Sequence, residues 1–192
     1  MAGFRIPKRA AESLKSESQP FPAGPWIGEF EDVEVRSLPD WSEWKKPESS
    51  GYESTDGEEL SIQIGRNRFA GNVPSSEEPP SVGEKKKFFN IVLRDGNRTV
   101  EDVDVDARQV PYFKLQKSAR MLANLAIALG WTDEAGDSIE VRDGFVDALR
   151  SGAFKGDRVG FTIYHRGYNT TNPDGSKGRG IAEEIEGFFA AE

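Results

Sequence analysis

The longest regular pattern in the chain is a run of apolar residues at three- and four-residue steps between Tyr112 and Gly130. This spacing places the apolar residues along one face of a helix. They are Leu115, Ala119, Leu122, Ala126 and Leu129. Pro111 precedes the run and Gly130 ends it, as is typical of helix termini. The pattern predicts one long amphipathic helix.

Before this helix, apolar and polar residues alternate in three segments, the pattern of half-buried β-strands. The first covers residues 26–36 and slips once near Phe30, which predicts a β-bulge. The second covers residues 59–69, with Leu60, Ile62 and Ile64 on its inner side. The third begins at residue 88 and either continues or turns at Asp95-Gly96-Asn97, a strong hairpin signal.

After the helix, the pattern predicts an acidic connection (131–143), a short helix (145–152), a strand (155–168), a Gly-rich loop (169–180) and a last strand (181–187). We therefore expect a mainly β chain with one long helix and long loops. The order of elements favours an OB-fold-like five-stranded barrel, plugged by a helix between strands three and four. This domain is expected to cover residues 21–189, between a disordered basic arm (1–20) and a free end (190–192).

The composition of the chain excludes several kinds of functional site. The 192 residues include no cysteine and one histidine, His165, so disulfides and zinc sites built on Cys and His are excluded. We expect no cofactor. The sequence shows no apolar stretch long enough to span a membrane and no signal peptide, so we expect a cytoplasmic protein, in the host cell if a phage encodes it. The net charge of −8 argues against a general polyanion binder, so local basic clusters matter more than the total.

Aromatic and basic residues gather in the predicted loops and strand ends, where OB barrels bind single strands. The candidate nucleic-acid-binding residues are Trp41, Trp44, Lys45, Lys46, Arg66, Arg68, Phe69, Lys85, Lys87, Tyr168, Lys177 and Arg179. Stacking of a base on an exposed ring contributes about 1–3 kcal/mol, and cations add a salt-dependent attraction. Two alternatives stay open: the tryptophans fold back as a lid, and the lysines protect the apolar strand at residue 88 from aggregation.

A second candidate site is the acidic run Asp102, Asp104 and Asp106, whose alternate spacing places the carboxylates on one face of a strand. Such a cluster could hold Mg²⁺ in a nuclease. A solvent-exposed strand face carries the same pattern, and no further acid at catalytic spacing accompanies it. We therefore expect no catalytic residues, no metal site and no enzyme activity.

The layout resembles the phage-encoded single-stranded DNA-binding proteins of the OB-fold type. Three stretches carry the resemblance: PFPAGPWIGEFEDVEV (20–35), LQKSARMLANLAIALGW (115–131) and FVDALRSGAFKGDRVGFTIYHR (145–166). The resemblance implies single-stranded DNA binding without chemistry, in phage DNA replication or recombination. The chain departs from the better-known single-strand binders at its end, where Ala190, Ala191 and Glu192 follow two phenylalanines.

The expected function is thus single-stranded DNA binding without sequence specificity. Single-stranded DNA is the expected partner, with replication or recombination proteins as further candidates and no membrane. The sequence leaves open whether the chain forms a homo-oligomer. The alternative is a protein-interaction or virion structural module on the same small barrel, which the net acidity would suit.

Overall fold

The structure is a computed structural model that describes residues 20–38, 51–103, 113–136, 138–171 and 175–191. Nearly all of the expected basic arm lies outside these residues. So do six of the candidate side chains: Trp41, Trp44, Lys45, Lys46, Asp104 and Asp106.

The described chain contains eight strands and two α-helices. The strands are β1 (Gly24–Ser37), β2 (Gly57–Phe69), β3 (Lys87–Asp95), β4 (Arg98–Thr99), β5 (Thr132–Ala135), β6 (Ser138–Val141), β7 (Arg158–Thr171) and β8 (Lys177–Ala190). The helices are α1 (Phe113–Ala128) and α2 (Phe145–Arg150), and a short 3₁₀ turn, Val100–Asp102, follows β4. The expected mainly β chain with one long helix is confirmed.

The main sheet has six antiparallel strands in the order β4-β3-β2-β1-β7-β8, rather than the five expected. The additional strand, β4, is only two residues long. Pairing among the described strands does not close this sheet into a ring. A helix lies along the open side, because α1 contacts both β3 and β8.

The core lies between the inner face of the sheet and the apolar face of α1. Leu60, Ile62 and Ile64 of β2 are fully buried, as their alternation predicts. The predicted helix face is also buried, apart from Leu129, which packs partly exposed against the core. Ser118 of α1 accepts a hydrogen bond from the Val92 backbone N–H at 2.8 Å, so the helix also satisfies a backbone donor at the edge of β3.

Two predicted irregularities are confirmed. The pairing of β1 with β2 shifts between Phe30 and Asp32, which is the expected bulge, and shifts again between Ile27 and Glu29. The turn from β3 to β4 passes through Gly96, whose φ of 60° suits glycine better than other residues.

Two of the predicted connections contain more strand than the sequence pattern indicates. The acidic connection contains the small hairpin β5–β6, paired from Thr132–Val141 to Ala135–Ser138. The Gly-rich loop expected at 169–180 is mostly strand, because β7 reaches Thr171 and β8 begins at Lys177. The last strand is confirmed but longer than predicted, and includes Ala190 of the expected free end. No described helix is long and apolar enough to cross a membrane.

Candidate nucleic-acid interface

A two-stranded ribbon extends from the main sheet. β1 pairs with β7 only as far as Ile163, whereas β7 and β8 remain paired as far as Thr171 and Lys177. We call this extension, residues 164–171 with 177–184, the ribbon. Residues 164–169 of β7 are all exposed, so solvent reaches both faces of the ribbon along this stretch.

One face of the ribbon carries rings and a guanidinium group. Side chains alternate along a strand, so Tyr164, Arg166 and Tyr168 share one side. Their partners on β8 are Glu184, Ala182 and Gly180, respectively. We call this side the ribbon face. Large side chains on β7 therefore stand opposite mostly small residues on β8.

Tyr168 lies directly over Gly180. A Cβ atom at Gly180 would come within 2.4 Å of Cζ of the tyrosine, closer than real contacts allow. Glycine at this position leaves room for the ring, and a larger residue would require the ring to move. The tyrosine remains 45% exposed, so part of its ring is available to a ligand.

Glu184 organises the base of the ribbon face. Its carboxylate accepts hydrogen bonds from the Tyr164 hydroxyl and from Arg166 Nε, both at 2.6 Å, and from Lys117 Nζ of α1 at 3.2 Å. The Tyr164 hydrogen bond, with those from Lys117 and Arg166, outweighs desolvation and lowers the pKa of Glu184 to about 2. The same hydrogen bond raises the pKa of Tyr164. The carboxylate therefore holds a ring and a cation in place.

The ribbon face continues onto the main sheet. Gly160 pairs with Phe189 on one side and with Ile27 on the other, and Ile27 pairs with Arg68. Phe189 lies over Gly160, where an added Cβ would come within 2.1 Å of its ring. Arg158 occupies the next row on the same side, and both it and Arg68 are exposed. Rings and guanidinium groups thus follow one side of the sheet from Arg68 to Tyr168.

Two of the candidate lysines instead belong to an internal ion-pair cluster. Lys87 is 8% exposed and its Nζ lies 2.7 Å from the Glu183 carboxylate, while Lys85 Nζ lies 4.0 Å from it. Glu183 also accepts the Phe21 backbone N–H at 2.9 Å. Burial alone would raise the pKa of Glu183. The hydrogen bond and the positive charge of Lys87 lower the pKa by a larger amount, so the net shift is downward. These contacts join the start of β3 to β8 rather than presenting Lys87 to a ligand.

Two candidates at the end of β2 also have contacts within the protein. Arg66 Nη1 lies 3.1 Å from Glu29, in a backbone conformation with φ of 49°. The Phe69 ring packs edge-on against Trp26, with 5.3 Å between centroids, and occupies the space beside Gly24. Phe69 is therefore largely a packing residue.

Lys177 and Arg179 lie in β8 and not in a loop. Arg179 pairs with Asn169 and Lys177 with Thr171, at positions that alternate with Tyr168. The two cations therefore stand on the side of the ribbon opposite the ribbon face. The structure brings Tyr168 and Arg68 onto one side of the sheet, but not with Lys177 and Arg179.

Four residues of this side were absent from the sequence prediction: Arg158, Tyr164, Arg166 and Phe189. A signal was present for two of them, because Tyr164, Arg166 and Tyr168 recur at every second position. All three residues lie within the strand predicted at 155–168, so their shared side follows from the alternation of side chains along that strand.

The acidic candidate site is described only in part. Asp102 accepts a hydrogen bond from Thr99 Oγ1 at 2.6 Å, a contact within the turn that follows β4. Within the described residues, no group of three or more histidine, aspartate or glutamate side chains is arranged to hold a metal ion.

Comparisons with protein-family models, with curated proteins and with solved structures find no match to this chain. The functional argument therefore depends on the geometry.

Proposed function

We propose that this protein binds single-stranded DNA without sequence specificity and without chemistry, along the ribbon face and its continuation to Arg68. The observation that carries the proposal is the row of exposed rings and guanidinium groups on that side. Rings stack on unpaired bases of any sequence, and guanidinium groups attract the phosphates between them. Such a protein would support phage DNA replication or recombination.

The path of the sheet supports this assignment. We infer that the sheet curls into a partly open, OB-like barrel whose seam lies between β3 and β8. Across this seam the Phe89 and Phe188 rings are 5.0 Å apart, and the Lys87–Glu183 ion pair joins the same two strands. On this assignment β7 and β8 are the fourth and fifth barrel strands, whose connection is a usual ligand-binding element of OB folds.

The charges on this side favour an anionic ligand despite the net charge of −8. Arg68 and Arg158 add to the charge of Arg166, whereas Glu184 and Glu29 are the acidic residues on this side; Glu29 lies opposite Arg158 and is ion-paired with Arg66. The Glu184 carboxylate is engaged by the Tyr164 hydroxyl as well as by cations. The remaining local charge is positive, which suits a phosphate backbone.

The proposal is tested by a double substitution on the ribbon face, Tyr168→Ala with Arg166→Ala. Loss of one stacking ring is expected to cost about 1–3 kcal/mol, which weakens binding by roughly 5- to 150-fold. The assay is fluorescence anisotropy of a labelled oligo-dT. Circular dichroism verifies that the variant is folded.

The chain offers a matched control on another part of the barrel. Phe88 is 53% exposed, and the Lys86 side chain is 46% exposed. Phe88→Ala with Lys86→Ala removes one exposed ring and one cation near β3, on the second surface that OB folds use. Little change in binding is expected. A larger loss in this control than in the ribbon variant would assign binding to β3. Failure of the wild-type protein to bind oligo-dT would favour the protein-interaction alternative.

A further inference from the structure

The strand β8 forms one edge of the main sheet. It pairs with β7 on one side only. On its other side, α1 lies beside the second half of the strand, where Lys117 bonds to Glu184 and a cleft of about 370 Å³ reaches Phe188. Apart from β7 and α1, no described element packs extensively against β8. The first half of the strand runs from Lys177 to Ala182, and Glu183, which begins the second half, is ion-paired with Lys87 of β3. Such an edge presents unpaired backbone donors and acceptors to another strand.

Basic and acidic side chains are separated along this edge of the sheet. Lys177 and Arg179 lie in the first half, whereas Glu183, Glu184 and Glu186 lie in the second half. Ile181 stands between the two groups and is 60% exposed. Residues 177, 179, 181 and 183 share one side of the strand, because side chains alternate.

The order of charges along β8 is complementary to the order along a second copy of β8 that runs in the opposite direction. Two copies of β8 in antiparallel orientation place the basic half of each opposite the acidic half of the other. With Ile181 opposite its own counterpart, Arg179 lies opposite Glu183 of the second copy. Opposite charges across a strand pair stabilise it, whereas like charges directly opposite destabilise it. A parallel, in-register arrangement would place like charges together.

We propose that a second copy of this chain pairs with β8 along Arg179–Glu183, in antiparallel orientation about a two-fold axis at Ile181. The pairing satisfies the open backbone edge, buries Ile181 of both copies and is isologous, as most homodimer interfaces are. Glu183 can take part, because 21% of its side chain remains exposed beside Lys87. The inference is independent of nucleic-acid binding and is tested without DNA.

The first test is sedimentation equilibrium of the wild-type chain over a range of concentrations. We expect a dimer that dissociates on dilution and at high salt, because the charges that join the copies are exposed and screened. Lys177→Glu with Arg179→Glu places a carboxylate at position 179 of each copy opposite Glu183 of the other, adds further negative charge at position 177, and should leave only monomer. Lys155→Glu with Arg142→Glu makes the same change in net charge away from β8 and should leave the dimer intact.

The second test uses the absence of cysteine from the chain. Ile181→Cys places a single thiol at the expected two-fold axis, and Ile139→Cys places one on β6 at almost equal exposure, 62% against 60%. A short thiol-to-thiol crosslinker should link Ile181→Cys into dimers and leave Ile139→Cys monomeric. Equal crosslinking of the two variants would overturn the proposal. So would a wild-type chain that stays monomeric at concentrations on the order of 100 µM, where even weak interfaces associate.

Discussion

Replacing Glu184 by glutamine tests the electrostatic account of the ribbon face. The substitution retains the size of the side chain and an oxygen that can accept the Tyr164 hydroxyl, but removes the negative charge that holds Arg166 and Lys117. We expect the variant to be less stable than the wild-type protein at neutral pH. The difference should disappear in acid.

The magnitude follows from the pKa of the carboxyl group. Its pKa is about 2 in the folded protein against a usual value of 4.5, and one pKa unit corresponds to about 1.4 kcal/mol. The full shift would correspond to about 3 kcal/mol. Lys117 and Arg166 are 52% and 63% exposed, so water screens the two ion pairs, and we expect about 1–2 kcal/mol.

The direction of this pKa shift determines the pH range in which Glu184 stabilises the protein. Because the folded pKa is lowered, the stabilisation is complete above pH 4.5 and is lost as the pH falls toward 2. The assay is urea unfolding of wild type and Glu184→Gln at pH 7 and at about pH 2.5. We expect a gap in unfolding free energy of about 1–2 kcal/mol at pH 7 and a much smaller gap at the lower pH.

Glu186→Gln is the matched control, since Glu186 is an exposed glutamate on the same strand. It should change the free energy of unfolding by less than about 0.5 kcal/mol. The reasoning would be refuted by a gap for Glu184→Gln that is equal at both pH values, or by an equal loss in the control.

Two further substitutions test the packing of the sheet. Asp95 is buried and accepts the backbone N–H groups of Glu53 and Ser54 at 2.7 and 2.8 Å, so Asp95→Ala should cost about 2–3 kcal/mol in urea unfolding. An unchanged midpoint would show that these bonds do not hold the segment before β2. Gly160→Ala should lower the melting temperature, because the new Cβ would lie 2.1 Å from a ring, at a cost of about 1–3 kcal/mol. Gly167→Ala, where an added Cβ meets nothing within 4 Å, should leave it nearly unchanged, and equal effects would count against the proposed contact.

The sequence predicts the elements that bury a regular apolar face. The helix α1, the inner residues of β2 and the bulge in β1 follow from spacing alone, because each buries one side and exposes the other. The hairpin β5–β6 lacks this signal: residues 138–141 are all exposed. The outer part of the ribbon, residues 169–171 and 177–180, lacks it too, because no apolar alternation marks these residues.

The candidate site was predictable only in part, because charge partners come from distant segments. In the sequence Lys87 is one of three consecutive lysines. Nothing there indicates its ion pair with Glu183, which lies 96 residues later in the chain. Lys177 and Arg179 are exposed, as a basic loop predicts, but their side of the ribbon depends on strand register. Tyr168 was identified correctly as an exposed ring, whereas its contact with Gly180 depends on the pairing of β7 with β8.

The measurement that tests the central claim most directly is anisotropy of a labelled oligo-dT with the wild-type protein, across a salt series and with a duplex competitor. Contacts from Arg68, Arg158 and Arg166 predict that log Kobs falls with log salt at a slope of about −2, since each phosphate contact contributes about −0.7 on a single strand. Duplex DNA should compete poorly, because its paired bases cannot stack on Tyr168. Absence of binding at the lowest salt, or equal competition by the duplex, would contradict the account.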